Sequence, residues 1–150
     1  MLLKNFLKSQ SVFGDLAEND LDALSRAIYV QEFPDAFTIV QEGKQGKELY
    51  LLVEGKVKVT HYHPLTGELI VLKELAAGEV FGVLSLVDHL PSAATCVAAG
   101  PVKVGILPRT AYNLLAKSSA PIALRFQLAV ARQIANDLRH RNDTLRSLIG

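Results

Sequence analysis

The chain has 150 residues, 49% hydrophobic and 21% charged, which suits one globular domain with a substantial core. Lys and Arg total 16 against 15 acids, a net charge of +1, and this gives no electrostatic footprint for nucleic acid or an anionic membrane. Cys96 is the single cysteine, so no internal disulfide forms; MLLKNFLKSQ lacks a signal core, no apolar run reaches the ~20 residues of a membrane helix, and a cytoplasmic protein without a membrane partner is expected.

In chain order, residues 1–28 are expected to be an N-terminal helical segment. Leu16, Leu21, Leu24 and Ile28 recur at helical spacing, and Asn19 with Asp22 marks a start. Residues 29–107 change to short β runs punctuated by glycine: FTIVQ, ELYLLV, KVKVTHY after Gly55, LIVLKEL after the Thr66–Gly67 turn, ATCVA before Gly100, and VKVGIL before Pro108. Val57 and Val59 alternate with Lys56, Lys58 and Thr60, which predicts a strand with one wet face. Short strands at this spacing predict an antiparallel sandwich or jelly roll.

A short helix is predicted over 109–117 and a long one over 120–149, with Pro121 in its first turn. Within the long helix Leu124, Leu128, Ala131, Ala135, Leu138, Asn142, Leu145 and Ile149 step by alternating fours and threes. Such a heptad seam predicts a two-stranded coiled coil and a homodimer, with Asn142 at an a position fixing the register. A second apolar set, Ile122, Phe126, Val130 and Ile134, would face the β unit, and a helix apolar on two sides needs two partners. Arg139, His140, Arg141 and Arg146 read as a solvated helix end that complements the macrodipole.

The stretch from Gly78 to Ala98, GEVFGVLSLVDHLPSAATCVA, has the outline of a phosphate-binding turn, yet holds no Arg or Lys. Its charged residues are Glu79 and Asp88. Together with VQEGKQGKELYLLVEGKVKV (Val40–Val59), GEVFG (Gly78–Gly82) and PSAATCVA (Pro91–Ala98) make the chain similar to the cyclic-nucleotide-binding domain family. That family includes catabolite-activator-type regulators and the regulatory modules of kinases and channels. The resemblance covers nearly the whole chain. It implies a mainly β fold with flanking helices: an eight-stranded β jelly roll (a double-stranded β-helix), an N-terminal helix and a long C-terminal dimerisation helix.

The resemblance also implies a site, and two positions depart from it. Where the family's cassette reads Phe-Gly-Glu, with the glutamate on the ribose hydroxyl, this chain has Phe81, Gly82 and Val83. Where the family places the arginine that neutralises the cyclic phosphate, it has Ser92, between Pro91 and Ala93. The groups left to meet a ligand are the N–H groups of Gly82, Val83 and Leu84 at a helix start, the hydroxyls of Ser85, Ser92 and Thr95, and the N–H of Ala93. Losing two charge-assisted hydrogen bonds of about 1.5–3 kcal/mol each reduces affinity by about 10²–10⁴-fold. Weak or no cAMP or cGMP binding is therefore expected, in a pocket that is either converted to another small-molecule ligand or closed. The family's base-contacting positions match Asn136 and Asp137 on the long helix, which are equally ordinary polar positions of an amphipathic helix.

A rival pattern lies in GKVKVTHYHPLTGE. Gly55, His61, His63 and Glu68 fit the spacing of the first cupin motif, and two histidines at i, i+2 share a strand face beside a carboxylate, a set for iron, manganese or zinc. The second cupin motif has no counterpart, since His89 and His140 stand in the wrong context. No nucleophile–His–Asp arrangement stands out, so no enzyme is expected.

These residues predict a non-enzymatic regulatory module that senses a small molecule and dimerises through its last helix, without contacting nucleic acid. The alternatives are a cyclic-nucleotide sensor from a transcription regulator whose DNA-binding domain would follow Gly150, a dimerisation scaffold, and a cupin-like metal enzyme.

Overall fold

A computed structural model describes residues 2–82, 91–92, 94–128, 131–132 and 135. The N-terminal segment forms two helices, α1 (Leu3–Ser9) and α2 (Glu18–Ala27). The chain turns between them at Gly14, where a Cβ would stand 2.7 Å from the Lys8 carbonyl oxygen, closer than any side chain permits. The start signal expected at Asn19 is corrected: Ala17 is the N-cap and offers no side-chain bond. Glu18 and Asp20 in the first turn and Arg26 in the last complement the helix dipole instead. Leu21 and Leu24 are fully buried, as their spacing requires.

Among the described residues six strands follow: β1 (Tyr29–Phe33), β2 (Thr38–Val40), β3 (Glu48–Tyr62), β4 (Leu69–Leu75), β5 (Val80–Phe81) and β6 (Thr95–Pro108). They pair antiparallel in the order β1-β6-β3-β4, with β2 on β6 and β5 on β3. The expected runs ELYLLV and KVKVTHY are one strand, β3, and ATCVA and VKVGIL are one strand, β6. Gly55, at φ +96°, lies within the second of two successive register shifts against β6, so β3 bends there without ending.

Alternation along the two long strands builds two cores. Leu49, Leu51 and Leu107 face one side, where they meet Leu7, Phe13, Leu21 and Leu24 of the N-terminal segment. Leu52, Val104 and Ile106 face the other, joining Val57, Phe81, Cys96 and Ala98 inside the roll, with Tyr50 packed against them. One face of the sheet is thus roofed by helices, and the other closes on itself.

Helix α3 (Arg109–Ser118) and the helix at residues 120–128, α4, complete the roof. Ser119 joins them: its Oγ accepts from the Ile122 N–H (3.3 Å) and donates to Asp20 Oδ1 of α2 (2.9 Å). Arg125 pairs with Asp15. Ile122 and Phe126 are buried, the Phe126 ring 5.4 Å from Phe13 and 5.3 Å from Tyr112. On the opposite side Leu124 and Leu128 remain 51% and 37% exposed, and Ala131 is exposed too. Leu138, Asn142, Leu145 and Ile149 lie outside the described residues. Among the described residues no helix is long and apolar enough to cross a membrane.

Candidate ligand site

The opening turn of the Gly78–Ala98 stretch is held by its own backbone. Gly78, at φ +98°, donates its N–H to the Leu52 carbonyl (2.8 Å), and Leu52 N–H donates to Glu79 O (3.0 Å). The Glu79 carboxylate accepts from the Ala76 N–H at 2.7 Å, so this acid closes the turn. β5 then lays Phe81 beside Tyr50, rings stacked at 5.2 Å and 19°. Gly82 follows at φ +73°, where a Cβ would stand 3.0 Å from Tyr50 Cδ2. Tyr50 therefore occupies the space against which the turn's backbone is laid. Burial pushes its hydroxyl up to about 12, with smaller contributions from Glu48, Tyr29 and Cys96.

The closing turn is tied to the β2–β3 loop. Pro91 bridges Gln45, Ser92 N–H donates to Lys44 O (3.0 Å), and Gly43 N–H donates to Ser92 O (2.9 Å). The Ser92 hydroxyl donates to Ala94 O at 2.7 Å. Thr95 Oγ1 accepts from the Glu42 N–H (3.0 Å), and Thr60 Oγ1 donates to Thr95 O (3.0 Å). Of the hydroxyls expected to face a ligand, that of Ser92 is thus engaged within its own turn and that of Thr95 on the β2–β3 loop. Thr60, expected on a wet face, is corrected to 3% exposed, because the register against β4 shifts between Val59 and Thr60 and breaks the alternation.

Val83, Leu84, Ser85, Ala93, Asn136 and Asp137 lie outside the described residues. Of the expected cassette, the described residues comprise Gly82 at one end and Ser92 and Thr95 at the other.

Tyr50 and the inward row of the sheet did not stand out in the sequence. Val40 pairs with Cys96, Cys96 with Val59, and Val59 with Lys73. Direct partners across antiparallel strands point to one face, so this row runs along a single face of four strands. Val40 and Cys96 are buried in the roll's core, which places the half-buried Lys73 on the same inner face. The signal available in LIVLKEL was its lone cation, which with Glu74 interrupts an otherwise apolar run. Burial pushes the Cys96 thiol up to about 12, while Lys73 pulls it the other way.

The cupin-like triad is not assembled. His61 turns to Glu42, Nδ1 lying 2.7 Å from Oε1 but out of line for a hydrogen bond. His63 caps the hairpin: its Nδ1 accepts from the N–H groups of Leu65 (3.1 Å) and Thr66 (3.2 Å). Glu68 closes the same hairpin through its backbone, its carbonyl accepting the His63 N–H at 2.8 Å. Among the described residues no three His, Cys, Asp or Glu side chains are grouped to hold a metal ion.

Comparison with known proteins agrees with this architecture. The family described as cyclic nucleotide-binding domain matches residues 30–119. A cAMP-dependent protein kinase regulatory subunit of Candida albicans is 30% identical over 77% of this chain and 24% of its own length. The chain spans 15% to 36% of the length of the curated relatives it matches first. Among solved structures, the Thermus thermophilus catabolite activator protein superposes with a TM-score of 0.75 at 31% identity, covering 91% of this chain and 62% of that one. A cyclic nucleotide-binding domain from Methylobacillus flagellatus gives 0.81 at 22% identity, covering 95% and 80%.

Proposed function

We propose that this chain, which belongs to the cyclic nucleotide-binding domain family, is a regulatory, non-enzymatic module that responds to a small molecule but binds cAMP and cGMP weakly or not at all. The observation that carries this is Ser92. It stands where the family's phosphate-neutralising arginine would be, its hydroxyl is engaged with Ala94 O, and both its backbone groups hold the Gly43–Lys44 loop. A side chain so occupied supplies no positive charge to a cyclic phosphate, and Val83 supplies no carboxylate to a ribose. Sensing in the cytoplasm, as a homodimer built on the apolar stripe of Leu124 and Leu128, completes the reading. These residues make no contact with DNA in it.

Thermal unfolding with cAMP, cGMP and a panel of uncharged and weakly acidic metabolites tests this. A ligand that binds only the native state at 100 times its dissociation constant adds about 2.7 kcal/mol. Micromolar cAMP is expected to leave the midpoint unchanged, and another member of the panel to raise it. A rise with micromolar cAMP would instead establish an ordinary nucleotide sensor, the reading favoured by the kinase regulatory subunits among its relatives.

A further inference from the structure

We propose that Glu48, Tyr50 and Tyr29 form the polar wall of a ligand site, and that its guest is an uncharged molecule bearing neighbouring hydroxyls. This rests on the ligand-sensing reading above and names the chemistry of its guest. The three residues reach one face of the sheet from two strands. Tyr29 pairs with Ile106, Ile106 with Tyr50, and Tyr50 with Phe81, so this row crosses β1, β6, β3 and β5 on a single face. Ile106 and Phe81 are buried in the roll's core with Tyr50 packed against them, which makes that face the inner one. Glu48 and Tyr50 are alternate residues of β3 and share it. The row is open at its β1 end, where Tyr29 is 47% exposed while Ile106 beside it is 2% exposed. The cassette's entry lies against the same residues: a Cβ at Gly82 would stand 3.0 Å from Tyr50 Cδ2 and 3.4 Å from Glu48 O.

Hydrogen-bonding capacity is left over on this wall. The Tyr29 hydroxyl donates to Glu48 Oε2 at 3.4 Å, long for an O–H···O pair. The half-buried Glu48 carboxylate has no cationic partner among the described residues. The Tyr50 ring is stacked on Phe81, and its hydroxyl has no hydrogen-bond partner among them either. Burial keeps that hydroxyl protonated, so it has a proton to donate. A carboxylate only accepts, whereas a hydroxyl both donates and accepts. A guest hydroxyl that donates to Glu48 and accepts from Tyr50 therefore satisfies both groups. An ammonium has no lone pair for the Tyr50 proton, and an anion meets a like charge in Glu48. A second hydroxyl beside the first engages the other carboxylate oxygen. The lack of Arg or Lys between Gly78 and Ala98 suits such a guest, which brings no charge to neutralise.

The test uses the full chain carrying ¹³Cε-labelled tyrosine, the Tyr29 and Tyr50 signals being assigned by their absence in Tyr29→Phe and Tyr50→Phe. D-Ribose and D-glucose serve as neutral polyol probes, ethylammonium chloride as the cation and sodium acetate as the anion. At least one sugar is expected to move the Tyr50 signal saturably, and neither ion is. Glu48→Gln, which keeps the shape of the side chain, is expected to weaken binding of that sugar by about tenfold or more, with an unchanged melting midpoint in buffer. Tyr50→Phe retains the stacked ring and is expected to weaken it by a smaller factor. Sugar binding that persists in both variants overturns the proposal and leaves the ligand-sensing reading intact. So does a Tyr50 signal that stays still while a sugar binds, or one moved saturably by either ion. If no probe binds, the proposal fails, and the metabolite panel decides the rest. A panel member that raises the melting midpoint preserves ligand sensing, and a panel without effect removes that reading too.

Discussion

Ala36 and Gly55 show how differently one backbone conformation is tolerated. Ala36 has φ +69°, the one non-glycine residue with positive φ among the described residues, in a turn closed by the Phe37 N–H on Pro34 O at 3.2 Å. Its N–H donates to Ala98 O (2.9 Å), and Asp35 Oδ1 accepts from Gly100 N–H (2.7 Å), so the turn is held from both sides. An L-residue there sits about 1–2 kcal/mol above its preferred conformation, and glycine gives back about 0.5–1 kcal/mol in unfolded-state entropy. Ala36→Gly is expected to raise the melting midpoint by about 1–3 °C, read by circular dichroism. Gly55 has the same sign of φ but no room: a Cβ would stand 2.7 Å from Pro101 O and 2.9 Å from Val102 Cγ1. Gly55→Ala combines strain with overpacking and is expected to lower stability by about 2–4 kcal/mol in urea unfolding. Gly55 was legible in the sequence as a break between two β runs. Which position had space was not, because that depends on what the opposing strand places there.

Helix α4 has two faces with different tasks. Ile122 and Phe126 close the helical core against Phe13 and Tyr112, while Leu124 and Leu128 point outward. Phe126→Ala is expected to cost about 3–5 kcal/mol, since it empties a site walled by two aromatic rings. Leu124→Asp combined with Leu128→Asp changes two side chains on the exposed face of α4. It is expected to leave the unfolding free energy of the monomer unchanged while shifting sedimentation from dimer to monomer. A dimer that survives both aspartates would rule out this stripe as the seam. The helical period separated Ile122 and Phe126, which are buried, from Leu124 and Leu128, which are exposed. The N-terminal segment was read with less success, because its single periodic pattern conceals the break at Gly14, which is a steric contact and not a propensity.

At the scale of the molecule, the sheet separates a helical core from the interior of the roll, and the interior carries two groups that titrate only at high pH. Tyr50 and Cys96 are both raised to about 12, from ordinary values of 10.0 and 9.0, chiefly by burial. The stability this represents is fully present below the unfolded values. It is lost as pH rises from about 9 toward 12, because the unfolded chain releases these protons first. Chemical denaturation measured at pH 8, 10 and 11 is expected to show a falling free energy, with a shallower fall in Cys96→Ala and in Tyr50→Phe. Equal slopes in the variants and the parent would place the alkaline sensitivity elsewhere. Neutral pH leaves both groups protonated, so Cys96 is expected to react with thiol reagents only as fast as the roll opens.

The sequence by itself determined the β roll, its flanking helices and the family, because hydrophobic alternation, glycine-bounded turns and motif order are local properties that survive without neighbours. It also exposed the absence of a cation between Gly78 and Ala98 and the replacement of the cassette's charged residues by Val83 and Ser92. Only the tertiary structure decided what the remaining groups do. Ser92 and Thr95 hold the β2–β3 loop, His61 and His63 are drawn to Glu42 and to the hairpin turn, and Lys73 shares an inward row with Cys96. Apart from the His63 contact within its own hairpin, these are contacts between segments distant in sequence. A hydroxyl or an imidazole carries no mark of which backbone group will reach it, and a strand's inward face is set by the register of its neighbours.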